Sequence, residues 1–158
     1  MNMSKIYAFS TVDDNITNRL LNNVAVSDSS KASHSVSIKA KNIFKMDCIA
    51  LWDTGATNTV ISPKIVTALR LPTFGEIEVW GVSGPSQTTV HVIDLWLPNF
   101  VAIPKLMVTM GIIRNIDVLI GMDVINKGDF AISNFEGRTS FTFRIPSMKF
   151  TDYCKELI

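Results

Sequence analysis

Cysteine is scarce in this chain: two among 158 residues, Cys48 and Cys154. Two thiols make no disulfide framework, and both read as reduced side chains of a cytoplasmic protein, packing as small hydrophobes. Histidine is equally rare. His34 and His91 stand alone, with no Cys or carboxylate at ligand spacing, so each reads as a solvent-facing or core-satisfied ring, and no metal or other cofactor is expected. Net charge is missing too. Fifteen Lys and Arg against fourteen Asp and Glu leave +1, without a basic cluster, which argues against a nucleic-acid partner. The mostly apolar stretch 92–113 is interrupted by Asp94, Pro98, Pro104 and Lys105. Those residues would be costly in a membrane helix, and two buried strands about a Leu97-Pro98-Asn99 turn fit better. The first nine residues lack the apolar core and small-residue cleavage site of a secretory leader. Neither Cys48 nor Ser62 has a recognisable base partner, which disfavours a nucleophilic hydrolase.

What the chain does have is apolar strand material. Hydrophobic residues make up 47% and charged residues 18%. The length suits one domain with a real core, and the apolar surplus fits either a large core or a further buried surface such as a subunit interface. Residues 20–26 read as an edge strand between polar, turn-rich stretches at 10–19 and 27–35. Residues 36–40 alternate as a half-buried strand, and 46–52 and 59–61 are further strand runs. Ser62 and Pro63 open a short helix, as N-cap and first helical residue, and Leu71-Pro72 ends it. Residues 76–80 and 88–93 flank Gly81 and Gly84 as a hairpin. A second helix covers 122–127 and closes on Gly128 at its C′ position. A last hairpin pairs 130–133 with 140–145 about Glu136-Gly137. The expectation is an all-β barrel, closed or partly closed, with two short helices. Three segments follow: 1–35, a strand with polar loops; 36–146, the main domain; and 147–158, a tail.

The most informative stretch is Asp53-Thr54-Gly55-Ala56, directly behind the apolar run 48–52. It presents one carboxylate at a strand end, and the small residues after it let backbone N–H groups approach that carboxylate. Downstream lies Val118-Leu119-Ile120-Gly121-Met122-Asp123, an apolar run ending in Gly at a helix start. Between the two sits Trp80-Gly81-Val82-Ser83-Gly84-Pro85. These three ordered motifs resemble those of the retropepsin-like aspartic proteases, the family of the retroviral protease. The stretch 48–146 looks like its bacterial-type branch.

That resemblance implies a retropepsin-like barrel, one domain per subunit, and an aspartic endopeptidase. Asp53 takes the place of the catalytic carboxylate, with Thr54, Gly55 and Ala56 supporting it. Trp80, Gly81, Val82, Ser83 and Gly84 take the place of the flap over the substrate, and Leu119, Ile120 and Gly121 that of the strand beneath the active-site turn. No second Asp-Thr/Ser-Gly exists in the chain. Because an aspartic dyad needs two carboxylates, the partner carboxylate must come from a second copy, which the resemblance also implies. The expected partners are therefore a second copy of the chain and a peptide or protein substrate. The retroviral branch carries an acidic residue after Asp-Thr-Gly-Ala and an Arg after the later Gly; here Thr57 and Met122 stand in those places, so both halves of that ion pair are absent together. Asp117, Asp123 and Asp129 read as cap or turn residues, and Trp52, Trp80 and Trp96 as core and interface aromatics. A non-catalytic dimerisation or peptide-binding module on the same fold is the alternative reading.

Overall fold

A computed structural model describes residues 5–31, 44–81 and 84–155. The strand expected at 36–40, His34, and Val82 and Ser83 of the hairpin tip lie outside the described residues. Among the described residues ten strands form, in chain order β1 (Tyr7–Val12), β2 (Leu21–Asp28), β3 (Met46–Trp52), β4 (Val60–Ile61), β5 (Gly75–Gly81), β6 (Gly84–Trp96), β7 (Ala102–Met110), β8 (Val118–Ile120), β9 (Asp129–Phe135) and β10 (Arg138–Ile145). Two short helices interrupt them, α1 (Pro63–Leu69) and α2 (Met122–Ile125). The protein is all-β with two short helices.

The larger sheet runs β2-β3-β8-β4-β7-β6-β5, and a further pairing of β2 with β6 closes it into a barrel. Residues 20–26 were expected at an edge, but this strand has partners on both sides. Ala25, for example, pairs with Asp47 of β3 and with Trp96 of β6. The strand also runs on through Ser27 and Asp28, both buried, where a loop was expected. Ser27 is held there by the Trp96 indole N–H, 2.9 Å from its hydroxyl. The 13-residue β6 serves three neighbours, since its first half forms the β5 hairpin and its second half joins β7 and β2. The β6–β7 turn falls at Pro98 and Asn99, as the sequence suggested. No described helix is long and apolar enough to cross a membrane.

A second sheet, β1-β10-β9, lies against the barrel. Residues 10–12 were expected in a loop; instead they finish β1, because Ser10 and Thr11 find β-partners in Thr142 and Phe141 far along the chain. The two sheets meet on Trp52, the last residue of β3. Its ring stacks on Phe130 (5.2 Å, 8° between planes) and touches Phe9, Phe141 and Phe143 at tilted angles. The indole N–H donates to Asn22 Oδ1 at 2.8 Å, so the one polar atom of this cluster is satisfied. Aromatic contacts of this kind contribute on the order of 1 kcal/mol each beyond the burial itself. They fix the strand end from which Asp53 projects.

Helix details also depart from the sequence reading. Pro63 starts α1 as expected, but the Ser62 hydroxyl makes no cap hydrogen bond and is buried without a partner among the described residues. The Ser62 carbonyl accepts from Ile65 N–H instead. Helix α2 stops at Ile125 with Asn126 as C-cap, so Gly128 is not its C′ residue. Gly128 is needed for another reason: a Cβ there would lie 1.9 Å from the Arg144 carbonyl oxygen.

Candidate active site

Strand β3 delivers Asp53 to the head of a tight turn. The Asp53 N–H donates to the Ile120 carbonyl of β8 at 2.9 Å, which ties the strand end to its parallel neighbour. The Gly55 N–H donates to Asp53 Oδ1 at 2.8 Å, and the Ala56 N–H to the Asp53 carbonyl at 3.2 Å. The Asp and Gly residues of this turn therefore have a local job, since the chain bends back on the carboxylate it displays. Asp53 is half-buried, while Thr54 and Gly55 are exposed.

Leu119, Ile120 and Gly121 lie beside this turn. Leu51 and Trp52 of β3 pair with Leu119 and Ile120 of β8. Ile120 and Gly121 are buried and Leu119 is half-buried. Gly121 permits a close approach, because a Cβ there would meet the Asn58 backbone at 2.6 Å. The Met122 N–H then donates to the Ala56 carbonyl at 2.8 Å and the Asp123 N–H to the Thr57 carbonyl at 3.1 Å.

Thr59 and Asp123 complete the clamp, and sequence reasoning missed the pairing. Asp123 Oδ2 accepts the Thr59 N–H at 3.0 Å and Oδ1 accepts the Thr59 hydroxyl at 2.7 Å. The Gly121 N–H in turn donates to the Thr59 hydroxyl oxygen at 3.2 Å. Asp123 had the signal of an ordinary helix-start carboxylate; its true partner is 64 positions upstream. The other two aspartates are also tied in place. Asp117 accepts from Ile49 N–H and Lys64 Nζ, and Asp129 from Ser147, Met148 N–H and Arg144.

A cleft of about 800 Å³ opens beside the turn. Gly55, Ala56, Thr57 and Asn58 line one wall, and residues 77–81 with 86–88 of the β5–β6 hairpin line another. Met110, Gly111 and Ile112 contribute as well. The structure thus brings Gly55, Ala56, Trp80 and Gly81 to one cleft. Trp80 was expected in the core or an interface, yet in the single chain it is 77% exposed and lines this opening. Gly81 and Gly84 form the last described pair of the hairpin, with Gly84 at φ +100°. The hairpin is braced against the cleft by the Thr88 hydroxyl, which donates to the Met110 carbonyl.

His91 sits apart from the cleft and is 1% exposed. Its Nδ1 donates to the Pro72 carbonyl at 2.9 Å, while Nε2 lies 2.9 Å from the Thr89 hydroxyl. It is a core histidine. Among the described residues no three of His, Cys, Asp or Glu gather as metal ligands.

The fold and this turn define a class. The aspartyl protease family profile matches residues 41–124, more than half of the chain, so the chain belongs to the aspartyl protease family. It is an aspartic-type endopeptidase with a retropepsin-like fold. Among solved structures, a retropepsin-like aspartic protease from Rickettsia conorii superposes with a TM-score of 0.52 at 8% identity, over 92% of this chain and 98% of that one. The EIAV protease, solved with the inhibitor HBY-793, gives 0.51 at 16% identity, over 72% of this chain and 91% of that one. Both likenesses concern the fold. No curated protein sequence matches.

Proposed function

We propose that the chain works as a homodimeric aspartic endopeptidase in which Asp53 of each copy supplies half of a catalytic dyad. The observation that carries this reading is the Asp53 turn, with a half-buried carboxylate held at a strand end beside a peptide-sized cleft. Two such carboxylates about 3 Å apart would share one proton, because both cannot ionise comfortably at that distance. The ionised member takes a proton from water as the water oxygen attacks the peptide carbonyl. The protonated member donates to the carbonyl oxygen, giving a neutral tetrahedral diol. Collapse of the diol breaks the C–N bond: the protonated carboxyl gives its proton to the leaving nitrogen while the ionised one takes a proton from a diol hydroxyl, which restores the starting dyad.

The remaining roles follow by position. Thr54 reaches the second copy beneath the dyad, Gly55 offers its carbonyl to substrate, and Ala56 keeps the turn compact. Trp80, Gly81, Val82, Ser83 and Gly84 form a flap, under which the peptide lies as an extended strand bound largely through its backbone. Leu119, Ile120 and Gly121 support the turn from below. Residues 36–146 form the peptidase domain, 1–35 an N-terminal segment, and 147–158 a tail.

Asp53→Asn tests the reading. It should abolish cleavage of a peptide library, by on the order of 10³ or more in rate, with the melting temperature nearly unchanged. Undiminished turnover by this variant would remove Asp53 from the chemistry.

A further inference from the structure

Strand β7 is interrupted next to the cleft. Leu95 pairs with Ile103 and Ile93 with Leu106, so an advance of two residues along β6 is matched by three along β7. The extra residue makes a β-bulge. It keeps both Ile103 and Leu106 buried, at 4% and 7% exposure, although strand alternation would turn residues three apart to opposite faces. It also leaves Pro104 and Lys105 exposed together. Lys105 takes a left-handed φ of 53°, where a lysine is strained and a glycine is not. The buried Asp94 carboxylate holds it there, since Oδ1 accepts the Lys105 N–H at 2.9 Å. Strain braced in this way points to a side chain that is used, and a bulge is a common device for re-aiming one.

Lys105 lines a groove of about 350 Å³, and Lys127, just beyond α2, lines it too. Ile77, Val90, Pro104 and Met107 give the groove an apolar lining. Neither lysine has an ion-pair partner among the described residues. Asp123 is the only carboxylate on the described lining, and both its oxygens accept from Thr59. The groove therefore offers two unpaired cations beside apolar surface, a setting for acidic groups next to an apolar one. Asn58, Ile77 and Thr109 line both this groove and the cleft beside Asp53. A polypeptide leaving the cleft can thus continue into the groove along one surface.

We infer that this groove is a second contact surface for the substrate, and that it selects polypeptides carrying acidic residues beside an apolar one at a distance from the scissile bond. This rests on the endopeptidase reading above and names the substrate class it would serve. Substrate carboxylates meet Lys105 and Lys127, and the apolar side chain between them lies against Met107 and Ile77. Charge complementarity of this kind chooses partners and speeds their capture. The groove is separate from the Asp53 turn, so its contacts act on KM and leave kcat alone.

The test uses the full chain and a parent peptide that it cleaves, chosen from a library. The parent is extended at either end, through Gly-Ser spacers of varied length, by Glu-Leu-Glu or Gln-Leu-Gln. The best Glu extension should lower KM about fivefold against its Gln counterpart, with kcat unchanged, and should lose that advantage as salt is added. The double variant Lys105→Glu, Lys127→Glu should prefer a Lys-Leu-Lys extension instead and cleave the unextended parent as wild type does. Lys105→Gly should weaken the Glu preference yet melt at a higher temperature, since glycine relieves the left-handed strain. Equal KM for Glu and Gln extensions, or a Glu preference that survives the double charge reversal, would overturn the groove and leave the endopeptidase reading intact. Octanoate binding without any Glu preference would give the groove to small amphipathic anions and overturn its role with substrate. If no library peptide is cleaved, the endopeptidase reading fails instead, and fluorescence anisotropy of a labelled Glu-Leu-Glu peptide decides the groove. Binding that the double variant abolishes would uphold it as an acidic-peptide site; no binding to wild type would overturn it.

Discussion

The carboxylate of Asp123 accepts both hydrogens that Thr59 has to give, its backbone N–H at 3.0 Å and its hydroxyl at 2.7 Å. Hydrogen bonds to an ionised acceptor are about twice as strong as neutral ones, and Thr59 is fully buried, so leaving it unsatisfied is costly. The pair joins the far end of the Asp53 turn to the start of α2. Thr57 and Met122, where the retroviral branch has an ion pair, cannot make one. Asp123 and Thr59 bind the same two segments by other means.

Asp123→Ala should therefore lower stability by about 2 kcal/mol and lower kcat/KM by more than the lost stability alone predicts. Asp123→Asn keeps one acceptor and adds a donor that the Thr59 hydroxyl can receive, so it should fall between wild type and Ala. Thermal melts and peptide kinetics on the three proteins check the order. Equal behaviour of Asn and Ala would deny the clamp its polar character.

The two glycines that end the β5–β6 hairpin should respond differently. Gly84 has φ +100°, where a β-branched residue is strained, while Gly81 has ordinary φ and open space around a built Cβ. Gly84→Val should cost about 1–3 kcal/mol of local backbone strain and slow turnover. Gly81→Val should leave stability within about 0.5 kcal/mol of wild type. Comparable loss of stability in both would show that the turn conformation is not what demands glycine.

Thiol chemistry should separate the two cysteines. Burial, reinforced by the nearby Asp117 carboxylate, pushes the Cys48 thiol up to about 12. Cys154 is exposed. Because the thiolate is the nucleophile, the native protein should take up one equivalent of iodoacetamide at pH 8, on Cys154, and a second only after unfolding. Peptide mass mapping reads the outcome directly. A native Cys48 adduct at pH 8 would mean that this part of the barrel opens readily.

Asp129 is held well below the usual carboxylate range by the Ser147 hydroxyl first, then the Met148 N–H and the Arg144 guanidinium. A carboxylate depressed on folding contributes stability above its unfolded value, near 4, and loses it as pH falls through the folded value. The tie of residues 147–148 to β9 should thus persist through mildly acid pH and release only in strong acid. Asp129→Asn should raise hydrogen exchange at Met148 at neutral pH with little change in the barrel amides. Unchanged protection there would show that other contacts hold the tail.

Local chemistry made part of this protein legible from sequence. Asp53-Thr54-Gly55-Ala56, the run ending at Gly121, Pro63 at a helix start and the hairpin about Glu136-Gly137 each announce themselves within a few residues. The features that escaped are decided by partners far away. Ser10 and Thr11 look like loop residues until Phe141 and Thr142 offer them a ladder. Residues 20–26 look like an edge until Trp96 and Leu95 arrive on the second side. Gly128 reads as a helix terminator, whereas its small size is demanded by the Arg144 carbonyl. The same holds at the site: the turn was readable, but Thr59 gave no hint that Asp123 would hold it.

The register of β1 on β10 sets Tyr7 against Ile145, so the first and last strands of the fold run side by side. A flexible linker leading from the end of β10 in one copy to the start of β1 in the next would begin and end at one end of the small sheet. Two copies joined in this way would make a single polypeptide with two separately editable aspartates. In such a tandem chain one Asp53 could be replaced while the other is kept, and the duties of the two carboxylates, equivalent by symmetry in a pair of identical chains, would become individually addressable.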